Sequence, residues 1–234
     1  MKLSAIQRFT LLDFPGRVAA IAFTPGCNLR CGFCHNPEFV LPEQLKELAG
    51  SFVSEKHFFA FLERRRGLLS GVVVSGGEPT IWQDLPEFLA RIKSLGFEVK
   101  LDSNGNNPAM LCTLFERRLI DYIAMDVKTS LEAYPGLVGL GVRPEHIAES
   151  IRLVRDSGIE YEFRTTLIKE HHTDEVLESM QRLLSGAMCL SFQRFRPDQT
   201  LSPLFAGFHA FSTAEMADVA ERFRFPGRLV GIRE

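Results

Sequence analysis

Gly71-Val72-Val73-Val74-Ser75-Gly76-Gly77-Glu78-Pro79-Thr80, then Leu85 to Leu95, then Gly96 and Phe97 to Leu101, read as one strand–helix–strand unit. The valine run is too short for a helix and is β-branched throughout, as a buried strand requires. Apolar residues from Leu85 to Leu95 recur at three- and four-residue spacing, which makes one apolar helix face. Gly96 follows that pattern where a left-handed helix terminus favours glycine, and a second apolar run starts at once. Strands joined through a helix are parallel, with a right-handed crossover.

The same alternation extends in both directions. Strand-length apolar runs lie at Val18 to Phe23, Tyr122 to Met125, Ile159 to Thr166 and Met188 to Phe195. Helical spacing recurs at His57–Leu62, Ala109–Leu119, Glu145–Val154 and Asp174–Leu184. Gly158 repeats the role of Gly96, and Thr173 ahead of Asp174 and Glu175 is an N-cap candidate. Six strand–helix repeats predict an α/β fold, a partial (β/α)6 TIM-type barrel of parallel strands. One domain over 1–234 is expected, with its core at about 17–197; a helix capped by Ser212 and an edge strand at Arg228–Ile232 fall in the remaining 198–234.

Reactive groups of such folds collect on the loops after the strands. The polar and glycine-rich clusters obey that rule: Thr24–Glu38, Ser75–Thr80, Asp102–Asn107, Asp126–Lys128, Arg164–Thr166 and Gln193–Pro197.

Composition narrows the function. Lys+Arg total 27 against 29 Asp+Glu, a net charge of −2, which is not the basic footprint of nucleic-acid binding. The arginines of Glu63-Arg64-Arg65-Arg66 and Glu116-Arg117-Arg118 read as solvated helix faces. No apolar run approaches the roughly 20 residues that span a bilayer. MKLSAIQRFTLLDFPG lacks a signal-peptide pattern, so a cytoplasmic location is expected. Five cysteines, three of them within eight residues, suggest a metal rather than a disulfide framework.

Those three, Cys27, Cys31 and Cys34, have C-x3-C-x2-C spacing. Thiolates bind soft metals and iron–sulfur clusters. Three thiolates on a four-iron cube leave one iron open, as a reactive site requires; a tetrahedral zinc site borrowing His35 is the other reading. Cys112 and Cys189 sit in apolar contexts and read as small hydrophobes.

The cysteine loop, with Phe33 just before its last cysteine, resembles the signature of the radical S-adenosylmethionine (SAM) superfamily. The resemblance implies a [4Fe–4S] cluster on Cys27, Cys31 and Cys34, its open iron chelated by the amino and carboxylate groups of SAM. It implies that an electron from the cluster cleaves SAM to a 5′-deoxyadenosyl radical, which abstracts a hydrogen atom. Gly76-Gly77-Glu78-Pro79 is similar to the motif that contacts the SAM amino group in that family. Asp102-Ser103-Asn104-Gly105 and Met125-Asp126-Val127-Lys128 resemble segments of the glycyl-radical-enzyme activases, where aspartate and lysine lie at the SAM ribose and carboxylate. By the same resemblance Asp102 and Asp126 line a monovalent-cation site, and Arg164 stands where the family often has a group near SAM. The histidine that pyruvate formate-lyase activases carry near the sixth strand end has no counterpart in Gln193–Pro197. His171 and His172 read as exposed residues ahead of a helix.

Leu12-Asp13-Phe14-Pro15-Gly16 and Cys34-His35-Asn36-Pro37-Glu38 extend the resemblance, and no second cysteine-rich insert follows. The compact anaerobic ribonucleoside-triphosphate reductase activating protein is the best match. A glycyl radical enzyme is the implied protein substrate, and a flavodoxin or ferredoxin the implied electron donor. A pyruvate formate-lyase-type activase, a small-molecule enzyme such as a 7-carboxy-7-deazaguanine synthase and a zinc-binding interaction module are the alternatives.

Overall fold

Local sequence dictates most of the element boundaries. In a computed structural model, which describes residues 1–34, 36–139, 141–198 and 200–233, the strands are β1 (Ala5–Thr10), β2 (Ala19–Thr24), β3 (Gly71–Gly76), β4 (Glu98–Ser103), β5 (Tyr122–Asp126), β6 (Glu160–Leu167), β7 (Cys189–Arg194) and β8 (Leu229–Arg233). The helices are α1 (Pro42–Leu48), α2 (Glu55–Glu63), α3 (Leu85–Ser94), α4 (Pro108–Glu116), α5 (Tyr134–Val138), α6 (Pro144–Asp156), α7 (Asp174–Leu183) and α8 (Thr213–Arg222). The fold is α/β, a mostly parallel sheet ordered β1 to β8 along the chain and alternating with helices. Gly96 (φ +89°) and Gly158 (φ +76°) take the left-handed conformation expected of them. No helix among the described residues is long and apolar enough to cross a membrane.

The chain divides into two compact units. The first holds Met1–Asn28, Asn36–Ser103 and Ala109–Ile123. Here β2, β3 and β4 pair in parallel, with Ala22 beside Val74 and Val74 beside Leu101. Val72, Val73 and Val74 have no exposed surface, because helices cover the sheet. The α3 stripe of Leu85, Phe88, Leu89 and Ile92 is buried, as its spacing requires. The Phe58, Phe59 and Phe88 rings join it, with centroids 5.4–5.6 Å apart. Each such ring contributes about 1.5–3 kcal/mol by leaving water.

The second unit holds Leu29–His35, Asn104–Pro108 and Ala124–Glu234. Strands β6, β7 and β8 pair in parallel, Phe163 beside Leu190 and Leu190 beside Val230. Thr173 caps α7, its hydroxyl accepting from the Val176 amide. Ser212 caps α8 in a reciprocal capping box with Glu215.

Some features depart from the sequence expectation. Strand β1 runs antiparallel to β2; its residues Gln7, Arg8 and Phe9 are exposed, so it lacked an apolar run. Helices α1 and α5 are short, and α1 buries none of its residues, which removes the periodic signal. The segment expected as a loop after Pro197 contains a 3-10 turn at Pro203–Gly207 that buries Phe205. Arg64, Arg65 and Arg66 lie just past α2 rather than on it and are exposed as expected, the first two lining a cavity of about 670 Å3 with Arg8 and His57.

Candidate active site

The first unit contributes the ends of β2, β3 and β4. Gly77 lets two backbones touch: a Cβ there would lie 2.0 Å from the Gly26 carbonyl oxygen and 3.0 Å from that of Phe39. The Gly77 amide donates to the Thr24 carbonyl (2.9 Å), and the Glu78 amide to that of Gly26 (2.8 Å). The Gly-Gly-Glu turn is therefore stitched to the residues just before Cys27. Glu78 is 1% exposed, and its Oε1 accepts from the Thr80 hydroxyl (2.5 Å), the Thr80 amide (3.1 Å) and the Ser103 hydroxyl (2.8 Å). Such a buried, oriented carboxylate is suited to an amine. Pro79 is buried at the start of the following 3-10 turn.

Asp102 ends β4 with both oxygens engaged. Ser75 donates to Oδ2 (2.9 Å), and the Lys100 ammonium sits 2.5 Å from Oδ1. Lys100 is almost wholly buried, its Nζ 5.8 Å from the Tyr122 ring centroid. Lys100 escaped the sequence reading, although a lysine in an apolar strand two residues before an aspartate shares that aspartate's face.

The second unit holds Cys31, Cys34 and the end of β5. Cys31 is buried and Cys34 half-buried, and the Cys34 amide donates to the Cys31 carbonyl (3.0 Å). Burial pushes the Cys31 thiol up to about 11 against the pull of the Lys128 ammonium; Cys34 and Asp126 push it the same way as burial. The Phe205 ring backs the turn so closely that a Cβ on Gly32 would lie 2.1 Å from it. Ser202 donates its amide to the Gly32 carbonyl (2.9 Å), and Phe33 packs on Phe205 with centroids 6.1 Å apart.

One carboxylate, Asp126, faces two cations: Arg164 Nε at 2.8 Å and Lys128 Nζ at 3.2 Å. Burial works against the Lys128 charge, but Asp126, Cys31 and Tyr134 more than offset it and hold the ammonium above its ordinary range. Two cations side by side offer charged partners to an anionic ligand. Lys128 Nζ lies 5.5 Å from the Phe33 ring centroid. The Tyr134 hydroxyl accepts from the Lys128 amide (2.9 Å). His172, expected in solvent, is 2% exposed, with Nε2 2.9 Å from the Lys128 carbonyl; His171 stacks on Phe205 at 5.5 Å. Arg164 lies inside β6 rather than at its end.

None of Cys27, Cys31, Cys34, Cys112 and Cys189 is joined in a disulfide, so the thiol donors an iron–sulfur site needs are retained. His35, the candidate fourth zinc ligand, lies outside the described residues. Among the described residues no three His, Cys, Asp or Glu side chains are gathered to hold a single metal ion.

The family model of the radical SAM superfamily matches residues 21–183. A protein of Methanocaldococcus jannaschii, provisionally described as a glycyl-radical enzyme activating enzyme, is 30% identical over 200 residues, 83% of this chain and 80% of that protein. The chain belongs to the glycyl-radical-enzyme activating group of the radical SAM superfamily. Within that group, the pyruvate formate-lyase-activating enzyme of Clostridium pasteurianum is 27% identical over 71% of this chain and 68% of its own length. Among solved structures, Streptococcus suis SuiB bound to its precursor peptide SuiA has a TM-score of 0.65 at 15% identity, covering 92% of this chain. This radical SAM chain spans about half of the SuiB chain, 48%. A TYW1 structure with a lysine-pyruvate adduct matches over 88% of this chain and 72% of its own, with a TM-score of 0.57 at 19% identity. These likenesses establish the radical SAM fold. The family implies a [4Fe–4S] cluster and SAM.

Proposed function

We propose that the chain, working as one catalytic domain, abstracts hydrogen from a backbone glycine of an anaerobic ribonucleoside-triphosphate reductase. In this reading Cys27, Cys31 and Cys34 hold the cluster, and a flavodoxin or ferredoxin reduces it. Held on these cysteines, a reduced cluster would supply the electron for reductive cleavage of SAM and hence the hydrogen-abstracting chemistry. Glu78, oriented by Thr80 and Ser103, accepts from the SAM amine beside the Gly76-Gly77-Pro79 turn. Lys128 and Arg164, both held at Asp126, receive the carboxylate. Asp102 and Ser103 serve the ribose, and Phe33 shields the cysteine turn.

The observation that carries this reading is the relative provisionally described as a glycyl-radical enzyme activating enzyme, which aligns with 83% of the chain. The five cysteines offer no second cluster set beyond Cys27–Cys34, which disfavours activases with added ferredoxin-like clusters; the reductase is taken as target on the resemblance of Leu12–Gly16 and Cys34–Glu38, with pyruvate formate-lyase as the alternative. A glycine Cα radical is shared with both flanking amides, so the demand on the chain is access and orientation rather than acid–base chemistry.

Anaerobic incubation of the reconstituted enzyme with SAM, reductant and separate candidate glycyl radical enzymes tests it. An electron paramagnetic resonance doublet on the ribonucleotide reductase is expected. A doublet on pyruvate formate-lyase alone would reassign the target, and none on any candidate would overturn the activase reading.

A further inference from the structure

The resemblance to activases implies a monovalent cation lined by Asp102 and Asp126, and the residues present at Asp102 do not fit one. Both Asp102 oxygens already carry protein donors, the Lys100 ammonium at 2.5 Å and the Ser75 hydroxyl at 2.9 Å. An alkali ion on Oδ1 would stand against a buried ammonium at a carboxylate only 16% exposed, where water screens the repulsion poorly. Lys100 cannot readily withdraw: its side chain is 2% exposed, and strand geometry fixes it on the Asp102 face, two residues away.

We propose that Lys100 is a positioning residue that supplies Asp102 with a built-in cation, so that SAM binding needs no monovalent metal ion there. A lysine two residues upstream delivers a fixed positive charge without a coordination shell, and Ser75 sets the rotation of the carboxylate. Removing the ammonium leaves the half-buried Asp102 carboxylate with one partner fewer, which a small cation can then reach. The inference rests on the proposed contact between Asp102 and SAM.

The test measures the SAM dissociation constant of the reconstituted holoenzyme by equilibrium dialysis, at constant ionic strength. Tetramethylammonium chloride is compared with potassium, sodium or ammonium chloride. Wild type should change less than about twofold among these salts, because its carboxylate is already paired. Lys100→Ala should bind SAM at least about tenfold more weakly in tetramethylammonium and recover when potassium or ammonium enters the vacated space. Lys100→Met, which fills that space, should be weakened without recovery. A wild type that needs potassium or sodium to bind SAM overturns the proposal, and that arm holds even where both variants fail to fold. Lys100 variants that bind SAM as wild type does, while Asp102→Asn is weakened, overturn it as well. Unchanged binding by Asp102→Asn instead overturns the contact between Asp102 and SAM on which the inference rests. Cluster absorbance in each sample separates loss of SAM from loss of iron.

Discussion

Replacing Gly77 with alanine puts a methyl carbon 2.0 Å from the Gly26 carbonyl oxygen and 2.6 Å from its carbon. Both obstacles are backbone, so no side chain can rotate out of the way. The two loops have to separate, losing the hydrogen bonds from Gly77 to Thr24 and from Glu78 to Gly26. At about 1 kcal/mol for each bond, plus about 1–3 kcal/mol for overpacking, the substitution should cost about 3–5 kcal/mol. For a chain of this size that lowers the melting temperature by about 10 °C. Anaerobic thermal melts of the apo and reconstituted proteins read the loss. Iron content after reconstitution reads the effect on the loop that leads into Cys27. Gly50→Ala is the control, since nothing lies within 4 Å of its Cβ position. It should stay within about 0.5 kcal/mol of wild type. A Gly77→Ala protein that melts and loads iron like wild type refutes the argument.

Gly32→Ala should lower iron retention because its methyl collides with Phe205; in Gly32→Ala/Phe205→Ala the combined loss should fall short of the sum of the single losses, and strict additivity would show that the ring does not back the turn. Burial lowers the His172 pKa, so the unfolded chain takes up this proton first and stability should fall as pH drops below about 6.5. Exposed carboxylates such as Glu87 and Asp156, held low chiefly by hydrogen bonds from Arg117 and Arg155, act only below about pH 4.5, which keeps the two windows apart. Urea midpoints at pH 7 and 5.5 should therefore differ in wild type and differ less in His172→Gln; a flat wild-type profile would remove the role of His172. Lys128→Ala should weaken SAM binding while iron content holds, and an unchanged SAM dissociation constant would count against its place at the carboxylate. Cys31→Ala should abolish both cluster absorbance and reductive SAM cleavage, and retention of either would exclude it as a ligand.

The parallel units were legible because each carries a local signal. The valine run of β3, the α3 stripe and the left-handed Gly96 are set by neighbours within one or two turns. The placement of Asp102, Asp126 and Glu78 was also legible, the two aspartates in the last two residues of β4 and β5 and Glu78 just past β3, where loops gather. Long-range packing was not legible. Phe205 lies in a segment without periodicity, and nothing near it in the chain announces a partner at Gly32. His172 looked exposed because it precedes α7, whereas its ring reaches back to the Lys128 carbonyl. Lys100 was hidden by its setting, because a strand that reads as apolar invites no search for an ion pair.

Phe205 also bears on when the metal can be loaded. The Cys31–Cys34 turn is translated well before Phe205, the aromatic wall behind it. A nascent polypeptide therefore displays these thiols without their backing, open to oxidation or to stray zinc. A chain cut short before Ser202 should capture iron poorly even though every cysteine of the turn is present, since both the Ser202 amide and the Phe205 ring that back Gly32 would be missing.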